Sequence, residues 1–111
     1  MDFNEVFIEG RLIEDAVSEL MPNGVLYVTF TVACNEDKRV DGTWQKRVQF
    51  VPVAIYGNYA QSLLPALKKS QRAIVLGKIE CGNSKFVINA MKVRVTSGVR
   101  DNDDQIPAIA G

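Results

Sequence analysis

The chain has 111 residues, 47% of them hydrophobic and 23% charged, which is enough for one globular core and too little for two. No apolar run approaches the roughly 18 residues that cross a bilayer, and the opening MDFNEV is acidic and polar where a secretory leader would be basic and then apolar; the expected compartment is the cytoplasm. There is no histidine, the commonest general base and metal ligand, and no carboxylate is set beside a nucleophile or a glycine-rich phosphate cradle at a recognisable spacing. A binding protein is therefore expected in place of an enzyme, with no cofactor and no metal. Cys34 and Cys81 are too few and too far apart for a zinc site and are read as reduced, structural thiols.

Net charge is zero, but the charges are segregated along the chain. Residues 1–37 carry one basic side chain, Arg11, against eight acidic ones, whereas residues 38–100 carry twelve basic side chains against Asp41 and Glu80. Asp101, Asp103 and Asp104 follow in the last eleven residues. A polyanion responds to the local field and not to the total, so a fold that gathered the middle block on one side would present a basic groove.

Phe3 to Ile13 alternates as a strand, with Val6, Ile8 and Leu12 on one face and Glu5, Phe7, Glu9 and Arg11 on the other. Gly10 interrupts it, where a missing side chain permits a bulge or the close approach of another backbone. The following EDAVSELMPNG reads as polar and turn-rich, with Pro22-Asn23-Gly24 suited to a tight turn. Val25 to Asn35 is a second strand, with Leu26, Val28, Phe30, Val32 and Cys34 inward and Tyr27, Thr29 and Thr31 outward. Asn35 to Thr43 reads as a charged loop with a turn signal at Asp41-Gly42, which would make the flanking strands an antiparallel hairpin.

Trp44 to Gly57, WQKRVQFVPVAIYG, is the most informative stretch. As a regular strand it puts Trp44, Lys46, Val48, Phe50, Pro52, Ala54 and Tyr56 on one face, and Gln45, Arg47, Gln49, Val51, Val53 and Ile55 on the other. The second face ends in an ordinary core triplet. The first carries three aromatics at a spacing of six with a lysine between two of them, a pattern suited either to core packing or to a stacking platform for unpaired bases. Beyond it, Ala60, Leu63, Leu64 and Leu67 recur at helical spacing, with Asn58 as the expected N-cap, Lys68 and Lys69 near the C-terminal end, and Pro65 keeping the helix short or kinked. Arg72 to Glu80 and Lys85 to Thr96 are two more strands around a Gly82-Asn83-Ser84 turn, and the residues from Ser97 onward lose all periodicity. Three strands, a helix and two strands is the layout of the OB-fold, an all-β five-stranded Greek-key barrel whose second and third strands bind oligonucleotides or oligosaccharides. The expected organisation is an OB-fold domain over residues 1–97 and a mobile acidic tail over residues 98–111.

Residues 3–97 resemble the bacterial single-stranded DNA-binding protein family. The resemblance rests on N-x-V-x-x-x-G-R-L at Asn4 to Leu12, M-P-N-G at Met21 to Gly24, F-V-P-V-A-I-Y-G at Phe50 to Gly57, the helix after it, and V-L-G-K-I at Val75 to Ile79. It implies sequence-independent binding and protection of single-stranded DNA in replication, recombination or repair. The family's two stacking aromatics six residues apart fall on Phe50 and Tyr56, with Phe50 where tryptophan is usual. Trp44 joins them by parity. Lys38, Arg39, Lys46, Arg47, Lys78, Lys85 and Arg11 are the candidate phosphate contacts, Arg47 pointing to the opposite face by strict alternation. The family's long hairpin between its last two strands is reduced here to Glu80–Lys85, so the stacking aromatic it carries is expected to be absent.

The resemblance also implies a homodimer or homotetramer formed partly through N-terminal strands, where Phe3 and Phe7 are apolar groups to be covered. Asp103, Asp104, Ile106 and Pro107 echo the family's acidic tip, which recruits replication and repair proteins, although the terminal phenylalanine and nearly all of the linker are missing. Two other readings fit the same layout. One is an OB-fold module that binds protein, such as a primosome-type accessory factor, and the other is an RNA-binding OB domain.

Overall fold

A computed structural model describes residues 2–82 and 85–96. Seven-residue β1 (Val6–Leu12) leads to the short β2 (Val17–Leu20), then to the two long strands β3 (Leu26–Val40) and β4 (Thr43–Tyr56). Helix α1 (Gly57–Leu63) and a 3₁₀ turn (Leu64–Ala66) precede β5 (Arg72–Gly82) and β6 (Lys85–Thr96). The strands follow the order β1-β5-β6-β4-β3-β2, and a further β1–β3 pairing closes the sheet on itself. The result is a five-stranded mixed barrel with β2 appended to β3. All pairings are antiparallel except β4 with β6, which run parallel through Val53 beside Ile88 and Ala54 beside Asn89.

The inward faces predicted from alternation fill the barrel: Leu12, Val28, Val32, Val53 and Ile55 are buried, Val75 and Ile88 from β5 and β6 join them, and Leu67 caps them from the helical segment. Closure needs Gly10, since a Cβ there would overlap the carbonyl oxygen of Ala33 and a methyl of Val32 on β3. Close approach, and not a bulge, is thus the reason for glycine in β1. The bulge lies instead between Leu76 and Gly77, where a Cβ on Gly77 would overlap the Asn89 carbonyl.

Three local expectations are corrected. The charged segment Asn35 to Thr43 is not a loop, because β3 runs through it to Val40 and meets β4 across a two-residue turn with φ of 52° at Asp41 and 80° at Gly42. Two positive φ values in succession define a type I′ turn, whose twist matches that of the flanking strands, so ladder hydrogen bonds outweigh the charge of the segment. Within EDAVSELM, Val17–Leu20 forms β2, paired with β3 but exposed at every position, which leaves no burial pattern for the sequence to write. Helix α1 is capped by Tyr56 with no side-chain hydrogen bond, so Asn58 is not the N-cap; Gly57, at φ 78°, turns the chain from strand into helix. Pro65 ends α1 in the 3₁₀ turn, as its missing N–H requires, which leaves Lys68 and Lys69 beyond any helix end.

The helical segment is fastened at two points. The Tyr59 hydroxyl donates to the Val93 carbonyl at 3.0 Å and accepts from the Val93 N–H at 2.7 Å. The Asp15 carboxylate accepts from the Lys69 N–H at 2.8 Å, and the Leu67 carbonyl accepts from the Ala16 N–H at 2.9 Å. The expected turn at Asn83-Ser84 and the tail residues Asp103, Asp104, Ile106 and Pro107 lie outside the described residues. Among the described residues no helix is long and apolar enough to cross a membrane, and no cluster of side chains could hold a metal ion.

Candidate nucleic-acid interface

Strands β3 and β4 pair through fourteen consecutive rows, from Tyr27 beside Tyr56 to Val40 beside Thr43. Their near halves wall the barrel; their far halves, from Asn35 and Val48 outward, project beyond it as an exposed two-stranded arm. Because side chains alternate, every second row belongs to one surface. Read from the arm tip inward, the outer surface carries Trp44 beside Arg39, Lys46 beside Asp37, Val48 beside Asn35, Phe50 beside Ala33, Pro52 beside Thr31, Ala54 beside Thr29 and Tyr56 beside Tyr27. At about 3.3 Å per residue, Trp44, Phe50 and Tyr56 are each spaced by ~20 Å along β4.

None of the three rings serves the core. Trp44 is 66% exposed, Phe50 61% and Tyr56 38%, whereas Phe30 on the inward face of β3 is 5% exposed. The core-packing alternative for the aromatic strand is thereby excluded for Trp44 and Phe50. Each end of the line has one ring face occupied: the Arg39 guanidinium lies 5.7 Å from the Trp44 ring centroid, and the Tyr27 and Tyr56 centroids are 4.9 Å apart at a 44° tilt. Phe50 stands beside the small Ala33, with no ring or guanidinium packed against it among the described residues. Burial, reinforced by Tyr27 and by the Glu80 carboxylate, raises the Tyr56 phenol above its ordinary range.

The candidate cations divide by row. Arg39 and Lys46 share the aromatic surface, and Arg11 on β1 stands in the row of Ala33 and Phe50. Lys78 belongs to the row that crosses Asn89 and Ala54 to Thr29, and alternation along the β5–β6 hairpin puts Lys85 on that same side. Lys38 and Arg47, beside Gln45 and Glu36, are on the opposite surface of the arm, as parity required for Arg47 and equally requires for Lys38. Glu36 is held there by the Gln49 amide, which donates to it at 3.3 Å.

Next to the barrel the aromatic surface becomes the floor of a groove of about 640 Å³. Tyr27, Thr29, Thr31 and Pro52 form the floor, Glu14, Asp15 and Val17 one side, and the β5–β6 hairpin with Glu80, Lys85 and Phe86 the other. The short hairpin does carry an aromatic: Phe86 is 45% exposed and lines this groove. Tyr27 and Phe86 are two aromatic groove-lining residues that the sequence reading did not single out. Tyr27 stood out only as an outward residue among threonines, and Phe86 as one apolar position in an alternating strand.

A closed barrel with a ring-lined ribbon on its outer face and a groove between the β1–β2 connection and the β5–β6 hairpin defines an OB-fold protein. The family model described as the single-strand binding protein family matches residues 3–98, and the chain belongs to that family. Single-stranded DNA-binding protein 2 of Chlorobaculum tepidum is 32% identical over 103 residues, covering 85% of this chain and 70% of its own length. The single-stranded DNA-binding protein of Borreliella burgdorferi is 27% identical over 79 residues, covering 71% of this chain and 53% of its own length. The chain spans about half the length of several of the curated relatives it matches. A crystal structure of a deletion mutant of the single-stranded DNA binding protein from Thermus aquaticus superposes with a TM-score of 0.78 at 20% identity, over 87% of this chain and 52% of that one, a likeness of fold.

Proposed function

We propose that this protein binds single-stranded DNA without regard to sequence and shields it during replication, recombination or repair. The observation that carries the reading is the row of rings Trp44, Phe50 and Tyr56 on one outward surface, two of them more than half exposed and none needed by the core. Every base has a π-face, so stacking is sequence-tolerant and contributes on the order of 1–3 kcal/mol per base. Duplex DNA buries those faces and is discriminated against. Arg39, Lys46, Arg11, Lys78 and Lys85 share the ring surface and supply phosphate contacts, so affinity falls as salt rises and counterion release loses its advantage. Lys38 and Arg47, on the opposite surface of the arm, contact phosphates only of a strand that wraps round it.

Phe3 is 91% exposed and Phe7 70%, so neither is covered by the segment that follows β1. Self-association through this face to a dimer or tetramer is part of the proposal, and light scattering measures it. The tail residues Asp103, Asp104, Ile106 and Pro107 are assigned to partner recruitment; deleting them should abolish capture of replication or repair proteins and leave DNA affinity intact.

The test is Trp44 fluorescence, which comes from one place because the chain has a single tryptophan. Titration with oligo-dT should quench it, added salt should weaken the quenching, and duplex of the same length should leave it unchanged. If labelled oligo-dT also shows no binding at low salt, the reading fails as function and the protein-binding OB module replaces it.

A further inference from the structure

The line of rings on β4 does not end at Tyr56. Tyr27, directly across the ladder, packs its ring against Tyr56 at 4.9 Å between centroids, and it also lines the groove beside the barrel, which Tyr56 does not. Tyr27 therefore touches both the end of the β4 track and the start of the groove floor. From it the floor runs back along β3 through Thr29 and Thr31, with Pro52 across from Thr31, small or flat groups that leave room over the sheet. Three carboxylates, Glu14, Asp15 and Glu80, border this groove against one ammonium, Lys85 on its hairpin side, so a phosphate is disfavoured there except beside Lys85, and an uncharged base is not.

We infer that Tyr27 is a further nucleobase-stacking residue, which turns a bound single strand off the β4 track and places its next unpaired base in the groove between β2 and the β5–β6 hairpin. The inference rests on the single-strand reading above and adds to it a contact residue and a path. The strand leaves the β4 track at Tyr56, and its last base enters the groove with its sugar-phosphate directed away from the carboxylates. Tyr27 contributes to binding directly, by stacking, and not solely by bracing Tyr56. The tilt of 44° suits this role, because two coplanar rings would form one continuous surface while tilted ones change its direction.

The experiment measures affinity for an oligo-dT series from about 4 to about 16 nucleotides, the range of OB-fold site sizes. It compares the intact protein with Tyr27→Val, chosen to keep strand propensity, with Tyr27→Phe, with Tyr56→Ala, and with Tyr27→Val/Tyr56→Ala together. Tyr27→Val should match the intact protein on the shortest oligomers and fall about 5- to 150-fold behind on the longest, the equivalent of one stacked base at 1.4 kcal/mol per tenfold. Tyr27→Phe should bind as the intact protein does. A further loss from Tyr27→Val in the Tyr56→Ala background is expected and separates stacking from bracing. Equal affinity of Tyr27→Val at every length, a loss independent of length, or no further loss in the Tyr56→Ala background each overturns the inference while the single-strand reading stands. Failure of the intact protein to bind any oligomer overturns both.

Discussion

Replacing Phe50 by alanine separates binding from folding. The ring is 61% exposed and faces Ala33, so its loss removes little apolar surface that folding had buried. Stability should change by less than ~0.5 kcal/mol, as for surface substitutions generally. The same truncation removes one base stack of about 1–3 kcal/mol, which at 1.4 kcal/mol per decade lowers single-strand affinity about 5- to 150-fold. Phe30→Ala is the matched control: one strand away on the inward face and 5% exposed, it should cost about 3–5 kcal/mol of stability, a large share of the roughly 5–15 kcal/mol that holds a domain folded. Urea denaturation of both variants and anisotropy of labelled oligo-dT give the two numbers. A midpoint for Phe50→Ala as low as that of Phe30→Ala would show the face assignment to be wrong, and an unchanged affinity would remove Phe50 from the platform.

Four other predictions rest on the barrel. Gly10→Ala should destabilise by several times the effect of a surface substitution, because the new methyl overlaps the Ala33 carbonyl where β1 closes the sheet, and chemical denaturation reads it directly. Tyr59→Phe should cost about 1–3 kcal/mol, since it leaves the Val93 N–H without the hydroxyl that accepts from it at 2.7 Å; an unchanged midpoint would show that α1 is held by packing alone. The thiols should differ in reactivity: burial first, then the neighbouring Glu9 carboxylate, raise Cys34 above its ordinary 9.0, so at pH 8 exposed Cys81 should react with an aromatic disulfide reagent well before Cys34. The folded state then holds the Cys34 proton more tightly than the unfolded chain does. Its contribution to stability is complete below pH 9.0 and is lost as pH rises through the folded value, with Tyr56 adding a loss of the same sign above 10.0. Denaturation midpoints should hold from pH 8 to pH 9 and fall from pH 9 to pH 11, and Cys34→Ala should flatten the lower part of that fall.

Alternation alone was enough to assign the inward faces of β1, β3 and β4, because a strand period of two leaves only two sides and Val28, Val32, Val53 and Ile55 can occupy only the dry one. The same parity sets Trp44, Lys46, Phe50 and Tyr56 together on the other side. The order of strands around one helix implied the barrel. Segment chemistry misled where ladder and turn geometry override composition: Asn35 to Thr43 is charged enough to read as a loop, yet the Asp41-Gly42 turn keeps it paired to the tip. Strand β2 left no trace, since a fully exposed edge strand has no inside to mark.

The sequence by itself determined the strand faces, the ring spacing and the family, because these depend on neighbours along the chain. Only the tertiary structure decided which rows lie side by side. Cross-strand register brought Tyr27 against Tyr56, Arg39 over Trp44 and Arg11 into the row of Phe50, and it set Lys38 on the far surface. Register is fixed by the two-residue turn and by burial of one face, and a slip of a single residue would have reversed every one of these assignments. The groove depends on still more distant parts, since it needs β1–β2, β3–β4 and the β5–β6 hairpin to meet when the barrel closes at Gly10.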